Sequence, residues 1–179
     1  MTNILKHSAA KLAVAATLVL FLQSCTETAD KFFGIAVLNT NFISRFATLS
    51  MAKEINGQTI EYPDIPSSKK KGDEAVTYVK NQILYIEKSL KDIKALSASG
   101  ERKVIQDQAI ALYEYVLPVY KNEYTAYAKV CDAKGSQEQK DKLIKAIEEK
   151  YNTEFEKKYA VLLENGKAFA EENNLNVKW

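Results

Sequence analysis

The sequence predicts an all-α fold: an antiparallel four-helix bundle with a kinked third helix, placed behind an N-terminal leader. Three observations predict it. Apolar residues recur at steps of three and four through four long stretches, the period of a helix with one buried face. Gly57, Gly100 and Gly135, together with Pro63 and Pro66, fall between those stretches, where connections belong. The strict alternation of a half-buried strand is missing, and so is any internal repeat. Four such segments joined by one longer and two short connections make an up-and-down bundle.

Residues 1–24 have the parts of a secretory leader. Lys6 and Lys11 supply positive charge, and Leu12 to Leu22 is an apolar run interrupted only by Thr17. Eleven residues at ~1.5 Å each give about 16 Å of helix, short of the ~30 Å hydrocarbon core, so the run suits export and not spanning. Leu22-Gln23-Ser24-Cys25 resembles the cleavage site of bacterial lipoprotein signals, in which a leucine stands three before the cysteine and a small residue just before it. Gln23 is the departure from that pattern. The resemblance implies that Cys25 becomes the lipidated first residue of the processed chain and ties it to a membrane. The plainer alternative is an ordinary cleaved leader with an accidental cysteine. The expected division is a lipoprotein signal peptide over 1–24, the lipidated cysteine and a short tether over 25–29, and a helical bundle domain over 30–179.

From residue 25 onward the chain carries 23 basic and 23 acidic residues, because Lys6 and Lys11 belong to the leader. That balance gives no support for nucleic-acid binding. Cys131 has no intramolecular partner if Cys25 is acylated, so a disulfide framework is excluded. Cys131 is expected to be a small buried residue, or else to take part in an intermolecular disulfide.

The first helix is expected from Asp30 to Ile55, with Ile35, Leu38, Phe42, Phe46 and Leu49 on one face. Its other side carries Phe33, Val37, Thr40, Ser44 and Met51, and Arg45 is its only charge between Phe32 and Ala52. A helix apolar nearly all round is either central or turns a second face to a partner, a second copy or lipid. Residues 56–67 read as a loop that Ile60, Tyr62 and Ile65 fold down onto the bundle. Lys69, Lys70 and Lys71 follow, as solvated surface or as a contact for anionic headgroups. The second helix starts near Asp73 and ends near Leu96, with Val76, Val79, Ile83, Ile86, Leu90 and Ile93 as an a/d seam, and a Glu87–Lys91 pair at i,i+4. Ser99 is the candidate N-cap of the third helix, Glu101 to about Asp132, whose apolar face includes Val104, Ile105, Leu112, Val116 and Tyr120. Pro118 removes a bond to the Glu114 carbonyl and predicts a kink. Ser136 and Gln139 form a capping box for the fourth helix. This helix runs to about Asn173 with Leu143, Ile147, Tyr151, Phe155, Leu162, Gly166 and Phe169 inward. Leu175 and Trp179 are expected to dock the tail.

From residue 25 on there is no histidine, since His7 is in the leader. This absence removes the usual catalytic triads, His-ligated haem, zinc sites and the Glu-x-x-His motif of di-iron bundles. No cofactor, metal or catalytic residue is expected, and carboxylate neighbours such as Glu148-Glu149 read as surface. Projected at ~100° per residue, Glu123 falls with Leu112 and Val116, and Arg45 falls with Leu38. A buried carboxylate needs a partner, so Arg45 and Glu123 are expected to pair, unless Pro118 rotates Glu123 into water. Tyr113, Tyr115, Tyr120, Tyr124 and Tyr127 surround Pro118. Either they fill the gap a kink opens, or with Glu123 and Arg45 they line a small-ligand pocket.

The stretches Tyr113–Val119, Asn122-Glu123-Tyr124 and Phe169–Leu175 resemble a family of small helical lipoproteins of Bacteroidetes and spirochaetes described as surface proteins. The similarity spans Ile105 to Trp179. It implies a helical domain on a lipid anchor and assigns no activity. The functional expectation is a lipid-anchored interaction or structural module of the bacterial cell envelope, at the outer membrane, on its periplasmic or surface face. A small-ligand carrier is the alternative.

Overall fold

The computed structural model describes residues 27–178. The leader, Cys25, Thr26 and Trp179 lie outside the described residues, and so do the lipidation and the Trp179 docking expected of them. Every regular element among the described residues is helical. In order these are α1 (Ala29–Ala36), a 3₁₀ turn (Leu38–Ile43), α2 (Leu49–Gly57), a second 3₁₀ turn (Pro66–Ser68), α3 (Glu74–Lys94) and α4 (Glu101–Val119). A π turn (Tyr120–Tyr124), α5 (Thr125–Asp132) and α6 (Gln137–Glu172) complete the chain.

The three later helices follow the apolar pattern. On α3, Val79, Ile86 and Ile93 are fully buried, and Val76, Ile83 and Leu90 pack half-buried beside them. The α4–π–α5 rod packs on α3 and α6, and α6 touches α4 and α5 along its length. Ser136 and Gln139 close the capping box at the start of α6. Leu175 packs half-buried on the core, with its N–H on the Ala170 carbonyl at 2.8 Å. Gly166 marks a close crossing: a Cβ there would stand 2.8 Å from Val37 Cγ1, so α6 meets the end of α1 with no room for a methyl group.

The single helix expected over Asp30–Ile55 is broken. Val37 ends α1, and the Thr40 hydroxyl donates to the Val37 carbonyl at 2.6 Å. Ala47 then adopts φ 53°, and Thr48 caps α2 through Met51 N at 3.4 Å while its own hydroxyl donates to Arg45 O. The cause is local chemistry. Asn39, Thr40, Asn41, Ser44 and Thr48 offer the backbone side-chain partners that compete with a helical ladder.

Other expectations are also corrected. Gly100, at φ 55°, takes the N-cap position of α4 in place of Ser99, because the turn needs a left-handed residue there. Glu87 pairs with Lys121 at 2.6 Å across two helices and not with Lys91. Val104 points outward, and Ile60, Tyr62 and Ile65 stand in solvent at 45, 56 and 50% exposure instead of folding down. Two side chains tie the ends of α3. The Asp132 carboxylate accepts the N–H groups of Ala75 and Val76, each at 2.9 Å, and buried Gln106 donates to the carbonyls of Ile93 and Leu96.

Candidate functional site

The tyrosines predicted to surround Pro118 are brought together, and most of them are core. Tyr113, Tyr120, Tyr124 and Tyr127 are buried and Tyr115 is half-buried. Phe46 sits among them, with ring centroids 6.0 Å from Tyr120, 6.1 Å from Tyr124 and 4.9 Å from Phe155. Their hydroxyls reach the broken N-terminal segment. Tyr124 Oη accepts the Ala47 N–H at 2.8 Å, Tyr113 donates to Asn39 O at 2.9 Å, and Tyr127 donates to Ala52 O at 3.3 Å. Tyr115 donates to Tyr151 O at 3.2 Å. Asn152 adds Nδ2 to Ala47 O at 3.2 Å, so both backbone groups of this left-handed alanine are satisfied by side chains from distant helices. Burial pushes the phenols of Tyr113, Tyr120, Tyr124 and Tyr127 well above the ordinary value. They remain neutral hydrogen-bonding groups at any physiological pH.

The π turn explains this packing. Leu112, Val116, Tyr120 and Tyr124 are spaced by four, and a straight α-helix would drift off its buried face over such a run. A π turn takes up one extra residue without its share of rotation, which offsets that drift, brings Tyr120 and Tyr124 back inward and moves Glu123 out of the apolar face. The Thr125 hydroxyl takes up the Tyr120 carbonyl at 2.9 Å. The run of three four-residue steps was the sequence signal for this turn.

Arg45 and Glu123 do not pair. Arg45 forms an ion pair with Glu54, whose other oxygen accepts the Tyr78 hydroxyl at 2.5 Å. The end of α1 at Val37 and the 3₁₀ turn that follows separate Arg45 from the helical frame in which it was projected. Glu123 accepts the Tyr151 hydroxyl at 2.6 Å, and Lys150 Nζ lies 4.8 Å from the centre of the Tyr151 ring. These groups edge a surface groove of about 220 Å³ floored by Leu143 and Ile147. Cys131 is buried in α5, and burial pushes its thiol up, which keeps it protonated and a poor nucleophile. Among the described residues no cluster of three or more His, Cys, Asp or Glu side chains could hold a metal.

Two regions of the described surface group exposed apolar side chains. One is the 58–72 loop. The other joins the first 3₁₀ turn to α3: Leu38, Leu84 and Tyr85 are 40, 62 and 38% exposed, and the Phe42 and Tyr85 rings meet at a 35° tilt with centroids 3.9 Å apart. Leu38 and Phe42 were expected on the buried side of the first helix; Phe42 is half-buried against the core, and the break after Val37 turns Leu38 outward.

The chain enters the fold at a fixed place. Arg102 Nη1 donates to Glu27 O at 2.7 Å, and its guanidinium lies over the Phe32 and Phe169 rings at 5.3 and 5.6 Å. Ser97 N donates to the Glu27 carboxylate at 3.4 Å. No family model matches the chain, and no curated protein and no solved structure matches it.

Proposed function

We propose that this chain is a lipid-anchored helical module of the bacterial cell envelope, held at the outer membrane through Cys25, that works by contact and not by catalysis. The observation that carries the reading is the leader ending in Leu22-Gln23-Ser24-Cys25. The fixed position of Glu27 supports it, because only Thr26 separates that residue from the cysteine. Among the described residues no helix is long and apolar enough to cross a membrane, so an acyl anchor on Cys25 would be the attachment.

We read the helices as a four-helix bundle. Its first member is broken at Ala47, and its third is reset by the turn that follows Pro118. The resemblance of 105–179 to small helical lipoproteins agrees with this reading. The absence of histidine from residue 25 on argues against the common catalytic constellations. The patch around Leu38, Leu84 and Tyr85 is where we place self-association or a protein partner of the first helical member.

Mass analysis of the N-terminal peptide from the native host tests the anchor. An acylated Cys25 is expected, and Cys25→Ser should move the protein from the membrane to the soluble fraction. An unmodified N-terminus generated elsewhere in the leader would refute it. The groove beside Glu123 and Tyr151 favours a second reading, a carrier of a small ligand. Native mass spectrometry showing an excess mass lost on denaturation, and lost again in Glu123→Gln, would favour the carrier.

A further inference from the structure

We propose that the loop of residues 58–72, between α2 and α3, is the membrane-distal tip of the protein and docks a protein partner offering an apolar recess rimmed by carboxylates. The distal placement rests on the lipid-anchored reading above.

The loop is held in shape and yet holds its apolar residues out. The Ser68 hydroxyl accepts the Tyr62 N–H at 2.8 Å and donates to the Ile65 carbonyl at 2.7 Å, and Ile65 N donates to Tyr62 O at 2.9 Å. Glu61 takes the Lys70 N–H at 3.2 Å, and Glu74 takes those of Lys71 and Gly72 at 2.6 and 3.1 Å. These bonds order the sixteen-residue connection between α2 and α3, which also holds the 3₁₀ turn Pro66–Ser68. Ile60, Tyr62 and Ile65 are nonetheless among the most exposed large apolar side chains described. Tyr62, Pro63, Ile65 and Pro66 line an open cleft of about 490 Å³ with Lys69 and Glu61 at its edge. A preorganised loop that displays apolar side chains loses little further entropy when it binds, and contiguous exposed apolar surface marks an interaction site.

Charge and placement select the occupant. Glu61 and Glu74 are engaged with backbone amides, whereas Lys69, Lys70 and Lys71 form no side-chain ion pair among the described residues. Three unpaired ammonium groups call for carboxylates opposite them. Helix α3 starts beside this loop and ends beside Glu27, and its 21 residues span about 30 Å. A bilayer holding Cys25 therefore lies against the other end of the bundle. Exposed Asp64, at the apex, also disfavours an anionic lipid surface and is tolerated at a mixed protein rim.

The test is photo-crosslinking in intact cells of the native host, using the full chain with a photoreactive aromatic residue at Ile65 and, as the opposite-end control, at Ser99. The expected result is a protein adduct from position 65 and a lipid adduct from position 99. The protein adduct should fall about tenfold when Lys69, Lys70 and Lys71 are all changed to Glu. Tyr62→Ser should weaken the same adduct without altering the unfolding midpoint, since the side chain is exposed. A lipid adduct at position 65, no adduct there, or an adduct indifferent to the charge reversal overturns the docking proposal. A chain that fractionates as soluble overturns the anchor reading and the distal placement with it.

Discussion

Residues 27–57 and residues 74–172 reach the same core by different means. The later region is built on repetition: α3, α4 and α6 place an apolar side chain inward every three or four residues, and the helices follow. The earlier region has no continuous helix. It is two short helices joined by irregular turns and pinned at single atoms, with Ala47 held between Tyr124 and Asn152, Asn39 by Tyr113, and Ala52 by Tyr127. A periodic stripe distributes its stabilisation over many van der Waals contacts. A pinned segment concentrates it in hydrogen bonds whose buried partners are costly to orphan. The two regions should therefore fail in different ways.

The largest expected effect is collective. Tyr113, Tyr120 and Tyr124 are held protonated by burial, while in the unfolded chain they ionise near pH 10. Above about pH 10 the unfolded state binds fewer protons than the folded one, so stability is full below that pH and is lost as pH rises toward the elevated folded values. Urea midpoints measured across the alkaline range should fall steeply. The amides of 37–57 should lose hydrogen-exchange protection before those of α3. Equal loss in both regions would erase the distinction.

Next in size is Ile86→Ala, in the middle of the α3 seam and fully buried. It should cost about 2–5 kcal/mol and lower a single unfolding transition without selectively loosening the N-terminal segment. Tyr124→Phe is the converse. It keeps the ring and orphans the Ala47 N–H, for a cost of about 1–3 kcal/mol. The added exchange should be confined to residues near 47. Were Tyr124→Phe to leave those amides protected, the pinning account would be wrong.

The smallest expected effect is a gain. Lys134 ends α5 at φ 53°, with Gly135 N bonded to Val130 O at 2.9 Å in a left-handed helix stop. Lys134→Gly should stabilise by about 0.5–1 kcal/mol, readable as a higher thermal midpoint. Gly135→Ala should do the opposite, because its Cβ would stand 2.6 Å from Val130 Cγ1.

The same contrast shows what was legible in the sequence. The seam of α3, the capping box of α6 and the inward residues of α6 could be read from spacing, because periodic burial leaves a periodic trace. The break at Ala47 left a trace too, in Asn39, Thr40, Asn41, Ser44 and Thr48, but a count of apolar positions passes over polar residues that act by capping. The projection that paired Arg45 with Glu123 failed on both sides. Arg45 lies beyond one irregular turn and Glu123 within another, and each turn shifts the phase assumed for its residue. The four-residue steps from Leu112 to Tyr124 announced one of those turns. Nothing in the local sequence announces Asp132 as the cap of α3, since that contact joins residues more than fifty positions apart. Ile60, Tyr62 and Ile65 were misplaced because their apolar character was taken to imply burial, and the Ser68 bonds that hold them outward are not visible as a pattern.

The Arg102 clamp has a consequence for engineering. Arg102 grips Glu27 and lies over the paired rings of Phe32 and Phe169, so the first described residues and the last turn of α6 share one end of the molecule. A short peptide linking residue 178 to residue 27, with new termini cut between Pro63 and Asp64, would give a circular permutant that leaves every described helix intact. The same geometry puts a fluorescent protein fused at the C-terminus beside the residues that lead to Cys25. A reporter inserted at Asp64 would instead ride at the opposite pole.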